Sequence, residues 1–76
     1  MASLSTELQD AWRVGKPVDG VSFAHDDLVT ILTGVHMGNV GSLVSIEQVD
    51  PEVVYLVEID SGFNVAAKQS DIELVA

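Results

Sequence analysis

The stretch that decides the fold is residues 28–46, with the sequence LVTILTGVHMGNVGSLVSI. Apolar residues typical of strands flank a loop that carries Gly34, Gly38 and Gly41 within eight positions. Glycine tolerates positive φ angles and close approach of another backbone, so three glycines this close together indicate a specific loop shape. The pattern predicts two strands joined by a tight glycine loop.

Alternating apolar residues and turn residues predict three more strands downstream. Asp50-Pro51-Glu52, Asp60-Ser61-Gly62 and Gln69-Ser70-Asp71 have the composition of turns. The five predicted strands are Leu28–Leu32, Val40–Val49, Val53–Ile59, Phe63–Lys68 and Ile72–Val75. Short strands with turn signals at regular spacing favour a small barrel.

A short amphipathic helix is predicted ahead of the strands, over residues 5–14. Ser5 is a good N-cap, and Gly15 and Pro17 end the helix. One face of this helix carries Leu4, Leu8, Ala11 and Trp12. An isolated helix this short is unstable in water, so the face must dock on the chain's own barrel or on a neighbouring molecule.

The sequence therefore divides into an N-terminal helix (1–14), a connector (15–27) and a barrel (28–76), which together form one domain. The chain has no cysteine, so neither disulfides nor thiolate metal sites reinforce its small core. The longest apolar runs are far too short to span a bilayer, and the first residues lack the pattern of a signal peptide. A cytoplasmic location is expected.

The charge is strongly acidic and uneven. The net charge is −9, from 12 acidic and 3 basic residues, and Lys68 is the one basic residue after position 24. Nucleic-acid binding requires cations that displace phosphate counterions, and anionic membranes require them too, so both partners are disfavoured. The charge fits a soluble surface or a basic protein partner.

The glycine spacing resembles a known motif. Gly34-x-x-x-Gly38-x-x-Gly41-x-Leu43-x-x-Ile46 resembles the KOW motif found in SH3-like barrels of NusG-type transcription factors and of several large-subunit ribosomal proteins. Residues 27–31 resemble the opening strand of that motif, and residues 70–75 resemble the turn and final strand of many SH3-like barrels. This resemblance over residues 26–75 implies a mainly β fold, a five-stranded SH3-like barrel with a short N-terminal α-helix.

The loop departs from that family in its charge. Nucleic-acid-binding members usually have a basic loop, whereas this loop holds Val35, His36 and Met37. RNA binding is therefore not transferred, because function belongs to the site and not to the fold. An exposed apolar loop tip is instead typical of an interface, so the segment Gly34 to Gly38 is the first candidate interaction loop.

Two further surfaces are weaker candidates. The helix face with Leu8 and Trp12 is the second, since tryptophan often anchors interfaces, although Trp12 is also expected to dock on its own core. The third is an acidic patch in or beside one β-hairpin, which is either a solvated surface or a contact for a basic partner. The patch consists of Glu47, Asp50, Glu52, Glu58 and Asp60.

The sequence carries no catalytic or metal-binding pattern. His25-Asp26-Asp27 contains ligand types for a metal but has no second ligand cluster at a recognisable spacing, so a polar turn is expected. Nucleophile elbows, phosphate loops and Ser/His/Asp orders are absent. Neither a cofactor nor enzymatic activity is expected.

We therefore predict a non-catalytic protein-interaction module or small acidic subunit that self-associates through strand edges into a homo-oligomer. The alternatives are a small-molecule-binding regulatory domain, a KOW-type nucleic-acid or ribosome-associated factor that the charge disfavours, and an acidic mimic of DNA.

Overall fold

The computed structural model describes residues 5–60 and 62–75. The fold is mainly β, with five antiparallel strands in one sheet and one short helix. The elements are α1 (Thr6–Arg13), β1 (Leu28–Ile31), β2 (Val40–Gln48), β3 (Val54–Ile59), β4 (Asn64–Lys68), a 3₁₀ turn (Gln69–Asp71) and β5 (Ile72–Leu74). The predicted helix residue Leu4 and turn residue Ser61 lie outside the described residues.

The five predicted strands are confirmed, and every strand end lies within one residue of its predicted position. Their order in the sheet is β4-β3-β2-β1-β5, with all neighbours antiparallel. The sheet is open, because within residues 5–60 and 62–75 β4 pairs only with β3 and β5 only with β1. The prediction of a mainly β fold with five strands and a short helix is confirmed, whereas the predicted closure of the sheet into a barrel is not confirmed.

Helix α1 has the predicted caps at both ends. The Ser5 hydroxyl accepts a hydrogen bond from the backbone N–H of Leu8 at 3.1 Å. At the other end Gly15 has a φ of 87°, and the N–H of Lys16 reaches the carbonyl of Ala11 at 2.9 Å. Glycine tolerates this left-handed conformation, so the last carbonyls of the helix find donors within the chain.

Helix α1 docks on the chain's own core. Trp12 is 2% exposed, and its indole N–H donates to the carbonyl of Phe23 at 2.8 Å. The indole ring lies 6.1 Å from the ring of Tyr55 and 5.4 Å from the ring of His25. A buried aromatic ring with its polar atom satisfied is a strong local anchor, so the helix covers one end of the sheet.

Gln9 adds a second attachment between α1 and the sheet. Its side-chain amide donates to the carbonyl of Ile46 at 2.6 Å and accepts from the N–H of Ile46 at 3.0 Å. Strand β1 begins at Leu28, which lies opposite Ser42 of β2. At Ile46, four residues further along β2, the edge of β2 that faces away from β3 therefore has no neighbouring strand. The Gln9 amide occupies the position that a neighbouring strand would take.

The connector between α1 and β1 wraps the same end of the sheet. Val18, Val21 and Phe23 lie outside the strands and pack partly buried against the core. Gln69 holds this segment, because its side chain accepts from the N–H of Ser22 and donates to the carbonyl of Gly20, at 2.8 and 3.0 Å.

Tyr55 is fully buried behind the connector. Its hydroxyl contacts the Gln69 side-chain carbonyl and accepts from the N–H of Phe23 at 3.4 Å. Burial raises the pKa of the Tyr55 hydroxyl above its usual range, and the charge of Asp27 acts in the same direction. The hydroxyl is therefore a neutral, structural group.

Candidate interaction groove

The glycine loop between β1 and β2 is held by its own backbone. Gly34 and Gly38 have φ angles of 81° and 92°, a region that residues with a Cβ rarely adopt. The N–H of Gly38 donates to the carbonyl of Ile31 at 2.7 Å, and that of Met37 donates to the carbonyl of Gly34 at 3.2 Å. These bonds close a tight loop without help from its side chains.

Gly41 serves a different purpose from the other two glycines. It lies in β2, where a Cβ at this position would approach Val57 Cγ1 to 2.7 Å and would also collide with the backbone carbonyl of Glu58. Glycine is required here because β2 and β3 approach each other closely. The glycine at the start of β2 is therefore required by packing between the two strands.

The side chains at the loop tip are exposed to solvent. Val35 is 95% exposed and Met37 is 67% exposed, whereas His36 is partly buried. Exposed apolar side chains contribute little to folding, since burial is what stabilises them. Folding therefore does not explain why this loop carries Val35 and Met37.

The loop forms one wall of a groove of about 320 Å³. The loop contributes residues 33–36, the opposite wall is residues 65–68 of β4, and Ile31 and Asp71 complete the lining. Consecutive strand residues point to opposite faces of a sheet. A groove that touches four consecutive residues of β4 therefore runs along the edge of this strand.

The edge of β4 presents backbone groups that have no partner strand. The Phe63 carbonyl accepts from the N–H of Ile59, and the Gln69 N–H donates to the carbonyl of Val53. The backbone N–H and C=O groups of the odd-numbered residues of β4 therefore point toward β3. Antiparallel pairing alternates along a strand. The N–H and C=O groups of Asn64, Ala66 and Lys68 accordingly face away from β3, and no described strand pairs with them.

The groove is nearly free of acidic residues in a strongly acidic chain. Residues 28–46 and 61–70 contain no Asp or Glu, and apart from Asp71 every residue lining the groove lies in one of these two stretches. Lys68 and Asp71 bring opposite charges to the same lining. The folded chain thus combines its two least acidic long segments into one surface.

The structure places the predicted helix face inside the fold. Trp12 is buried and Leu8 is partly buried against the core, so these side chains do not form a free docking surface. The apolar residues of α1 are explained by packing within the chain.

The five predicted acidic residues do not lie together. Glu47, Asp50 and Glu52 lie near the β2–β3 turn, whereas Glu58 and Asp60 lie near the β3–β4 turn. The β3 residues between these ends span about 13 Å at the rise of a strand. Glu52 also accepts a hydrogen bond from the Ser70 hydroxyl at 2.7 Å. The acids therefore form two separate groups.

His25, Asp26 and Asp27 lie in a turn before β1. The Asp27 carboxylate accepts from the N–H of Ala24 at 2.8 Å, and Asp26 has a φ of 70°. Within residues 5–60 and 62–75, no cluster of three or more His, Cys, Asp or Glu could hold a metal ion. The carboxylate of Asp27 therefore has a local structural partner three residues earlier in the chain.

The glycine pattern in the sequence predicts the loop, but no pattern in the sequence indicates β4 as the second wall of the groove. Ala66 and Lys68 have no motif, and their role depends on the pairing of β4 with β3. The one available signal was the absence of acidic residues in both segments.

Comparisons of the chain with protein families, curated proteins and solved structures found no match. Helix α1 has eight residues, so no helix in the described part of the chain is long and apolar enough to cross a membrane.

Proposed function

We propose that this chain is a non-catalytic protein-interaction module that binds its partner at the groove between the glycine loop and β4. The observation that carries the proposal is the 95% exposure of Val35 at the tip of a backbone-fixed loop that borders this groove. A rigid loop that holds apolar side chains in water is suited to binding, because little conformational freedom is lost when a partner covers it.

The titratable groups support a binding role over a catalytic one. Tyr55 has a raised pKa, but its side chain is fully buried and hydrogen-bonded to the connector. A catalytic group must reach its substrate, and this hydroxyl lies beneath the surface. The groove itself brings together His36, Lys68 and Asp71 around an otherwise uncharged lining.

We further propose that the sheet is an SH3-like barrel with a KOW-like loop. The order β4-β3-β2-β1-β5 and the 3₁₀ turn just before β5 support this assignment. The loop lacks the cations of nucleic-acid-binding relatives, and the chain has a net charge of −9. A protein partner without acidic residues at the contact is therefore favoured over RNA or DNA.

An affinity purification tests the interaction. The tagged chain, expressed in the cells from which it comes, is expected to retain one stoichiometric protein partner, and a variant with Val35, His36 and Met37 changed to serine is expected to lose it. Val14→Ser is the matched control, because Val14 is 71% exposed and does not line the groove. Equal retention by all three proteins would contradict the proposed site.

A small ligand is the second candidate function, since a groove of about 320 Å³ lies at the lower end of ligand-pocket sizes. A panel of metabolites tested for shifts in melting temperature separates the two functions. A saturable shift that the triple serine variant abolishes would favour the regulatory domain.

A further inference from the structure

We infer that the occupant of the groove is an extended peptide segment of a partner protein, which adds a strand to the free edge of β4. Its centre is apolar, and the end that lies over Asn64 is basic. This inference rests on the proposed interaction function and specifies the partner's chemistry.

The backbone of β4 supplies the recognition. The N–H and C=O groups of Asn64, Ala66 and Lys68 face away from β3, at the strand edge that borders the groove. An added strand forms hydrogen bonds with such groups whatever its sequence, and alternate side chains provide selectivity. Ala66 lies at the centre of the edge and has a small side chain, so a second backbone can approach it closely.

The lining of the groove determines which side chains fit. Val65, Ala67 and Ile31 are apolar, and Val35 projects from the opposite wall. An extended strand presents every second side chain to the same side. Small apolar side chains at alternate positions would therefore contact this lining.

Charge determines the ends of the occupant. Asn64 is paired with Glu58, and Asp60 follows β3 at the same end. A strand added beyond β4 would lie about 10 Å from β3, so the two carboxylates attract a basic residue over Asn64 through their field and lie within reach of a long side chain. At the other end Lys68 and Asp71 balance each other. An acidic segment would be repelled by the chain's net charge of −9.

The same charge disfavours a second copy of this chain as the occupant. Two copies each carry −9, and the free edge of β4 offers five residues, whereas a standard interface uses about 20–30 residues on each side. A single peptide strand instead fits between two walls of one molecule.

A random nonapeptide library displayed against the wild-type chain tests this inference. We expect enrichment of peptides with alternating apolar residues, no acidic residue in the centre and basic residues at one end. The best peptide is then measured by fluorescence anisotropy against Ala66→Pro and Ala66→Thr. Proline removes the N–H that faces away from β3 and is tolerated on edge strands, so affinity should fall about tenfold or more. Threonine keeps the N–H and should change affinity by less than about threefold, within the spread of surface substitutions.

Peptides with N-methyl groups provide a test that needs no protein variant. Methylation of the alternate residues whose N–H groups face β4 should abolish binding, and methylation of the other alternate set should be tolerated. Circular dichroism of Ala66→Pro shows whether that variant keeps the wild-type fold.

Results that overturn strand addition can be distinguished from results that overturn the interaction function. Failure to enrich any peptide, enrichment of acidic peptides, or equal tolerance of both methylation patterns would overturn the inference. Loss of binding in the triple serine variant with full binding by Ala66→Pro would overturn strand addition but leave the interaction function intact. A wild-type dimer that Ala66→Pro converts to a monomer in sedimentation would identify the occupant as a second copy.

Discussion

The attachment of helix α1 through Gln9 provides the sharpest test of how the fold is stabilised. The Gln9 side chain donates to the carbonyl and accepts from the N–H of Ile46, at 2.6 and 3.0 Å. Ile46 is fully buried, and β1 does not extend far enough to pair with this part of β2. Changing Gln9 to alanine removes the partners of both backbone groups of Ile46, which are partly buried, at once.

The expected cost follows from the two backbone groups left without partners. Each unsatisfied buried group costs about 1 to 3 kcal/mol, and some access of water places the pair at roughly 2 to 4 kcal/mol. A domain of 76 residues has a free energy of unfolding of about 4 to 11 kcal/mol. Gln9→Ala should therefore remove at least about a fifth of the free energy of unfolding, and nearly all of it if the domain is at the low end of this range, even though alanine is the better helix former.

Urea denaturation followed by the fluorescence of Trp12 measures this loss, because Trp12 is the only tryptophan and is buried. With a slope of about 1 kcal/mol per molar urea for so small a chain, the midpoint should fall by about 2 M or more. Asp10→Ala, at an exposed site of the same helix, should stay within about 0.5 kcal/mol of wild type. A Gln9→Ala midpoint equal to that of Asp10→Ala would refute the stabilising role of the two hydrogen bonds.

Gln9→Glu tests the direction in which stability changes with pH. The introduced carboxylate can accept from the N–H of Ile46 but cannot donate to its carbonyl, so folding favours the protonated form and raises the pKa of the carboxyl. The free energy of unfolding of Gln9→Glu, relative to that of Gln9→Ala, should be highest at a pH below the ordinary pKa of a glutamate carboxyl. It should fall as the pH rises above that pKa. A pH-independent difference between these two variants would contradict the assigned roles of the amide oxygen and nitrogen.

Three other changes should separate the structural roles of individual residues. Gly41→Ala forces a Cβ to within 2.7 Å of Val57 and should cost about 3 kcal/mol or more, whereas Gly34→Ala meets open space and should cost about 1 to 2 kcal/mol for its positive φ; equal urea midpoints would contradict this difference. Tyr55 has a raised pKa, so the wild type should lose stability as pH rises above the ordinary range of a tyrosine, and Tyr55→Phe should lack this alkaline loss in pH-dependent melting. Ser5→Ala removes the N-cap bond at 3.1 Å and should lower the free energy of unfolding by about 1 kcal/mol, and an unchanged urea midpoint would show that the cap is dispensable.

The strands and the helix could be predicted because their signals are local. Alternation between Val53 and Ile59, together with the turn residues on either side, determines β3 within one residue. The helix caps depend on Ser5 and Gly15, which act within a few positions of themselves. Sheet closure is different, because it depends on how far two distant edges curl toward each other.

The connections that position the groove could not be predicted, since they join residues far apart in sequence. Gln9 bonds to Ile46 across 37 residues, and Gln69 bonds to Gly20 across 49. A glutamine carries no sequence signal for a backbone partner, because its amide can bond to any exposed peptide group. The loop could be predicted as a site because its glycines form a recognisable motif. The β4 wall could not, because Ala66 and its neighbours belong to no motif.

The distribution of charge explains how an open sheet edge can persist on this chain. A free strand edge invites pairing with other chains, and proteins commonly protect such edges with charge. Here the acids lie beyond the ends of β4, with Glu58 and Asp60 near one end and Asp71, which also lines the groove, just past the other, while residues 64–68 of the edge have none. Each copy then repels another copy at long range, but a neutral or basic strand meets no such barrier. The repulsion is screened by salt, so any self-association should increase with ionic strength, whereas binding of a peptide with a basic end should weaken.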